Sequence, residues 1–442
     1  MHPTRSFFLF LLAGWLTTAS SSAQPQFGLP LLPSTWQAHL ANPALVPDAS
    51  FSIGGPDLQA LLQFDGPVYQ DIITRQDGRP VLQTDRFISA LSHDNRISTE
   101  LQFHTLGLSW RKKRLSLLLG HRLRFQSFLE FPKSLPQVVW QGNAAFVGQT
   151  VPVAPFVHSL DYHEIYAGGG YSFDKLDLGF KVKWLAGNNL LATDPDHRNA
   201  SLYTDPDVYQ LTLQADYLLH TVQLPTYDNL QDLERNFRQG NRAGNAPFGR
   251  NAGWAFDLGF RLALGRLDLL GSLLDVGFIR WDHQVTNYLA TKSISYEGLD
   301  ISNALSGEGV DFDRALDTLR QLLRVDPAHN PTQTRLTAST SFGARWTFSQ
   351  AWRAGVAYIG RRSPTGRTHT LLASVDARIL PALDLGTHLA LQHPYPPQIG
   401  LHSTLTVGTV QLFCATNDIG GALRPARAST ISATAGIALR FP

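Results

Sequence analysis

The feature that most limits what this chain can fold into is a two-residue rhythm on strands that lack a covering layer. From Gly253 onward, Trp254, Phe256, Leu258, Phe260 and Leu262 alternate with Ala255, Asp257, Gly259 and Arg261. Leu264-Gly265-Arg266 then turns the chain, and a second apolar run extends from Leu267 to Trp281. Side chains of a strand point alternately to opposite faces, so this is a hairpin with one broad apolar face. The rhythm returns between Leu176 and Leu185, where Leu176, Leu178, Phe180, Val182 and Trp184 oppose Asp177, Gly179, Lys181 and Lys183. A soluble sheet has to bury such a face under a second layer. Repetition along most of the chain, with aromatic residues near strand ends, is the signature of a transmembrane antiparallel β-barrel, where lipid is the covering layer.

The beginning of the chain reads as a targeting segment. His2 and Arg5 precede the apolar run Phe7–Leu12, and Ser21-Ser22-Ala23 supplies small residues before Gln24, as in a secretory signal peptide spanning residues 1–23. That run is shorter than the ~18 residues a spanning helix needs, and no cysteine stands at the cleavage position to take a lipid anchor. Beyond it no apolar run approaches helical membrane-spanning length, and only helices and closed barrels satisfy their backbone inside lipid. Residues 24–442 exceed the usual single soluble domain, yet no linker or composition shift divides them. A composition with 43% hydrophobic residues suits strands that show half their side chains to a polar lumen. Cys414 is the one cysteine, which excludes an intramolecular disulfide framework and a thiolate metal cluster. Lys plus Arg (37) nearly balances Asp plus Glu (35), which argues against nucleic acid as a partner.

Residues 24–50 are proline-rich and irregular, with a turn signal at Asn42-Pro43-Ala44. Phe51-Ser52-Ile53-Gly54 starts a first strand, which Pro56 should confine to an edge or an end. Asp85–His93 reads as helical. Strands at Ile97–Trp110 and Leu115–Phe125 are joined by Arg111-Lys112-Lys113-Arg114, a solvated hairpin turn in preference to a lipid-headgroup or nucleic-acid patch. Asp205-Pro206-Asp207 turns between Ser201–Tyr203 and Val208–Leu219. Residues 223–251 form a polar loop with a helical piece near Leu230–Phe237. The excursion from His283 to Pro331 carries an amphipathic helix at Asp311–Arg324, read as packing on its own loop in preference to a membrane or partner surface. From Arg335 to Phe441 the chain is nearly continuous hairpins. If the short turns near 112, 174, 206, 265, 350, 381 and 409 share one side with the termini, counting favours sixteen strands.

No Gly-x-Ser-x-Gly elbow, His-Glu-x-x-His pair or phosphate loop is present, so neither an enzyme nor a cofactor is expected. His158, Asp161, His163 and Glu164 are the densest cluster of metal-ligating types. Strand periodicity sets His158 and Glu164 against Asp161 and His163, which opposes a single metal site. With the apolar faces in lipid, Asp177, Lys181, Lys183, Asp257, Arg261, Arg335 and Arg345 should point into the lumen. Mixed charges there pair with one another or with a plug; the functional alternative is a polar path or binding pocket.

Asn42-Pro43-Ala44, soon after the leader, resembles the N-terminal hatch of FadL-type fatty-acid transporters. Together with Trp140–Asn143, Ser201–Asp205, Gly253–Gly259, Leu273–Ile279 and Tyr296–Asp300, it makes nearly the whole mature chain similar to a Bacteroidota outer-membrane family of unknown function. That family is distantly similar to FadL-like transporters and to the PorV-type barrels of type IX secretion. The resemblance implies an all-β barrel of 14–16 strands over residues 51–442 (fourteen, if FadL is followed) and a hatch over residues 24–50 containing Asn42, Pro43 and Ala44. It also implies the outer membrane of a Gram-negative bacterium, with outer-membrane lipid and the barrel assembly machinery as partners. Passive uptake of a small, hydrophobic solute is the expectation. The alternative is a non-transporting scaffold that binds a secretion-system protein, and an outer-membrane lipase or protease is a distant third. The family brings no catalytic residues. One departure is Pro442 after Phe441, since assembly signals usually end on an aromatic residue.

Overall fold

The computed structural model describes residues 28, 31–32, 35–76, 79–223, 249–296 and 327–442. The expected leader (1–23) and the expected helical pieces at Leu230–Phe237 and Asp311–Arg324 lie outside the described residues.

Among the described residues, fourteen antiparallel strands close into a ring. They are β1 (Phe51–Asp65), β2 (Asp94–Lys112), β3 (Leu115–Pro132), β4 (Phe156–Ser172), β5 (Leu176–Thr204), β6 (Asn251–Leu264), β7 (Leu267–Trp281) and β8 (Ala338–Thr347). They continue as β9 (Trp352–Ser363), β10 (Gly366–Leu380), β11 (Leu383–Gln392), β12 (Gln398–Val407), β13 (Val410–Thr416) and β14 (Thr430–Phe441). β1 closes the ring, because Phe51 pairs with Trp110 on β2 and with Phe441 on β14. The alternation seen in the sequence decides the faces. Trp254, Phe256 and Leu258 are 51%, 52% and 56% exposed, while Ala255 and Asp257 between them are 0% and 1%. An apolar belt of that size would drive aggregation in water; in hydrocarbon it is the favourable outer surface of a barrel. Trp110, Tyr171, Phe173, Trp346, Phe348 and Trp352 are exposed near one end, where an interfacial aromatic girdle belongs.

That end also holds Phe51, Phe441 and the short turns at 113–114, 173–175, 265–266, 348–351, 381–382 and 408–409. Gly265 (φ 69°) and Gly408 (φ 59°) supply the left-handed backbone such tight hairpins require. The turn near 206 is not among them, which corrects the count of sixteen. β5 is 29 residues long, whereas a tilted crossing takes about 9–11. Its first part, Leu176–Gly187, pairs with β6. Its second part, from Leu190, leaves the ring and pairs with Leu211–Val222, which in turn pairs with Val285–Tyr296. Ser201–Tyr203 and the strand after it therefore belong to a sheet standing above the long-loop end. A buried cluster including Leu185, Leu190, Val222, Trp281 and Val285 fills the junction where β5 departs.

Pro56 also departs from expectation. It lies inside β1, a strand paired on both sides, where a register shift between Gly54 and Asp57 absorbs the missing donor. The short helix Thr84–Ala90 matches the expected helical segment.

Candidate functional site: the hatch and its seat in the lumen

Residues 35–47 lie inside the ring, built around one helical turn, α1 (Ala38–Ala41). Asn42 ends that turn and connects it to the wall. Its Oδ1 accepts from the Ala44 N–H at 3.0 Å, the local bond that makes Asn-Pro a turn starter. Its Nδ2 donates to the carbonyls of Phe260 (3.0 Å) and Gly271 (3.2 Å), which are register partners on β6 and β7. Ser272 adds a hydrogen bond from its hydroxyl to the Ala41 carbonyl at 2.8 Å.

Two pairs of facing glycines make room for this segment. Gly179 on β5 is opposite Gly259 on β6. A Cβ at Gly179 would stand 2.3 Å from the Pro43 carbonyl, and one at Gly259 would stand 2.1 Å from Asn42 Oδ1. On the other side, Gly54 on β1 is opposite Gly107 on β2. Cβ atoms there would meet the Trp36 ring at 2.4 and 2.5 Å. Trp36 is fully buried and stacks on His104 at 5.1 Å. The sequence therefore prepares a glycine seat on each flank, one for Asn42-Pro43 and one for Trp36. Ala44, the last residue of the predicted motif, is buried beside them.

His39, on α1, fastens the middle. Its Nδ1 lies 2.6 Å from the Trp36 carbonyl and must donate to it, so Nε2 accepts from the Tyr166 hydroxyl at 3.2 Å. His104 reaches the same hydroxyl at 3.0 Å. Lys181 donates to the His39 carbonyl at 2.6 Å. Burial, and next the Lys181 ammonium, hold the His39 imidazole well below its usual range, so it sits neutral. Apolar contacts complete the docking. Leu31 and Leu45 pack with Leu270, Ala357, Ile359 and Leu372 of the wall.

The charged residues expected in the lumen separate into groups. Lys183 bridges Asp257 (2.6 Å) and Asp275 (2.5 Å). Arg124 joins Asp275 (2.8 Å) to Glu164 (3.2 Å), and Arg122 joins Glu164 at 2.5 Å. A second group nearer the short turns ties Arg261 to Asp177 (3.6 Å) and Asp268 (3.3 Å), with Arg345 closing on Asp268. Arg335 belongs to neither. It is exposed and pairs in register with outward-facing Phe278. The expected strand from Arg335 to Phe348 is interrupted at Leu336-Thr337, both buried, and the interruption reverses the parity between Arg335 and Arg345.

Other members of the site were not singled out from sequence. Arg122 and Arg124 share a face of β3, a signal that two-residue alternation offers in retrospect. His158 and Glu164 are buried, whereas Asp161 and His163 are half-buried, with Asp161 accepting from Asn188 and Asn189 and His163 meeting His121. Glu100 and Arg361 had no sequence signal at all. Their charged groups approach to 2.5 Å, and Arg361 donates one hydrogen bond of 2.8 Å to Glu100. β2 and β9 stand seven strands apart in either direction round the ring, so this pair bridges the lumen. A circular ring of fourteen strands would be about 28 Å across, far beyond the reach of an arginine and a glutamate. The barrel is thus flattened at this level, and the pair crosses its lumen.

No curated protein matches this chain. Among solved structures, a Pseudomonas aeruginosa FadL homologue is similar at 9% identity and TM-score 0.47, covering 96% of this chain and 100% of that one. The Ralstonia pickettii toluene transporter TbuX is similar at 9% identity and TM-score 0.44, covering 92% and 93%. The Pseudomonas putida toluene transporter TodX is similar at 10% identity and TM-score 0.40, covering 91% of each chain. A family model matches residues 43–417, from inside the Asn-Pro-Ala element through β13, and by that match the chain belongs to the family of unknown function DUF5723.

Proposed function

We propose that this protein is an outer-membrane channel for passive uptake of a small apolar solute, with the N-terminal hatch as its stopper. One observation carries the reading: Leu31 and Leu45 of the hatch cover an apolar patch of lumen wall formed by Leu270, Ala357, Ile359 and Leu372. A small apolar ligand can take the place of those leucines, so its binding energy would offset release of the hatch. The hatch is also held by hydrogen bonds at Asn42, the His39 carbonyl, Ser272 and the Trp36 N–H, by the Arg111–Asp48 ion pair and by the seat of Trp36, all of them non-covalent and reversible. The apolar belt supports placement in an outer membrane, and transport needs no bond-making group. The test is uptake of an apolar fluorophore, N-phenyl-1-naphthylamine, into proteoliposomes whose outer leaflet is lipopolysaccharide. The barrel should admit the probe faster than protein-free vesicles, and Asn42→Ala should admit it faster still. Equal rates for all three would end the transport reading.

A second reading, a non-transporting scaffold, is favoured by the Glu100–Arg361 bridge that crosses the lumen. In that case the sheet of Leu211–Val222 and Val285–Tyr296 above the ring would contact the partner.

A further inference from the structure

The outer face of a barrel is convex, yet from β3 to β8 this one carries an almost wholly apolar concavity of about 740 Å³. A register row crosses all six strands there: Leu115, Tyr171, Leu178, Phe260, Gly271 and Phe342. The next row toward the long loops includes Leu117, Gly169 and Phe180. Each row has one outward glycine, so large apolar groups surround patches of bare backbone. The glycines are sterically required, because a Cβ at Gly169 would stand 2.4 Å from the Ser116 carbonyl and one at Gly271 would stand 2.3 Å from the Phe260 ring.

Directly beneath, three neighbouring short turns carry exposed cations: Lys113, Lys175 and Arg266. The acid beside them, Asp174, is already engaged by Arg114 at 2.7 Å. Gly169 pairs with Leu117, three residues above Arg114, and Gly271 lies five residues above Arg266. Those offsets are roughly 10 and 17 Å along the strands, or about 8 and 13 Å along the membrane normal at a tilt near 40°, within the ~15 Å hydrocarbon depth of one leaflet. A groove for a chain and a cationic rim for a headgroup therefore lie within one leaflet.

The geometry points to a phospholipid-binding site on the outer wall, with one acyl chain in the groove and an anionic headgroup at Lys175, flanked by Lys113 and Arg266. Free apolar solute needs no cationic rim, and a free phosphate needs no groove; a phospholipid uses both. The basic turn at 111–114, read from sequence as a solvated hairpin, thereby gains a headgroup role. The site depends on membrane placement of the belt and is independent of whether the hatch opens.

The test is native mass spectrometry of the full-length barrel in neutral detergent, titrated with phosphatidylglycerol, with heat-modifiable gel mobility as the folding control. The wild type should retain one phosphatidylglycerol. The triple variant Lys113→Gln, Lys175→Gln, Arg266→Gln should bind about a hundredfold more weakly, at about fivefold per cation. Thr340→Trp, which fills the groove from its outward position on β8, should bind at least about tenfold more weakly. Val375→Trp, outward on β10 and away from the groove, should bind as the wild type does. Equal retention by every variant overturns the site. Weakening by the triple variant with Thr340→Trp matching Val375→Trp would mean an empty groove and headgroup attraction alone. Weakening by Thr340→Trp without any effect of the triple variant would assign the groove to an apolar molecule lacking a headgroup. Either result overturns the phospholipid assignment.

Discussion

Arg361 and Glu100 form an ion pair across the lumen, with one hydrogen bond of 2.8 Å, joining strands that stand at opposite points of the ring. Both are almost completely buried, so each charge depends on the other. Arg361→Met should leave Glu100 as an uncompensated buried charge and destabilise the barrel by about 3–5 kcal/mol. The double variant Glu100→Gln, Arg361→Met should recover most of that loss. Urea unfolding in phosphatidylcholine vesicles reads both; equal stability of the single variant and the wild type would show that the pair contributes nothing.

Asn42 is the hatch residue with the most specific seat. Asn42→Ala removes both donors to the Phe260 and Gly271 carbonyls, and a buried acceptor left unsatisfied costs about 1–3 kcal/mol. Backbone amides of residues 36–46 should exchange hydrogen roughly 10- to 100-fold faster, while amides of β9–β12 stay protected. Uniform acceleration across the whole ring would instead mean that the variant weakens the barrel itself.

Gly179→Val tests the seat from the wall side. Its Cβ would stand 2.3 Å from the Pro43 carbonyl, whereas valine suits a strand. The variant should keep the heat-dependent gel shift of a folded barrel and lose protection of the hatch against protease. Retained protection would mean that the glycine is not required for docking.

Acid should loosen the hatch through His39. The imidazole is held neutral when docked, with its proton affinity lowered by burial and by Lys181. Above about pH 6.5 both docked and released forms are neutral and the residue contributes no pH dependence. Below it, the released form gains a proton that the docked form refuses, so docking weakens by up to about tenfold per pH unit. Protease cleavage within the hatch, compared between pH 7.5 and 5.5, should rise in the wild type and change much less in His39→Gln. The same rise in His39→Gln would move the effect to another group.

The alternation of Trp254, Phe256 and Leu258 with Ala255, Asp257 and Gly259 was sufficient to assign strand, face and membrane environment, because strand periodicity is local and lipid contact needs only one apolar face. Short turns such as Leu264-Gly265-Arg266 were legible for the same reason. Strand number was not. Whether β5 turns back at Gly187 or runs on to Thr204 depends on which neighbour holds its far half, and that neighbour, Leu211–Val222, lies outside the ring. The face of Arg335 was lost to a two-residue interruption that pairing with β7 creates.

The sequence by itself determined a chain of amphipathic strands with polar residues kept for the interior, since hydropathy and periodicity are properties of neighbours along the chain. Only the tertiary structure decided which charges meet, that Gly54 faces Gly107 and Gly179 faces Gly259 to seat the hatch, and that Glu100 reaches Arg361. Those relationships join residues tens to hundreds of positions apart, and they exist only once ring closure and register have fixed the distance between the walls.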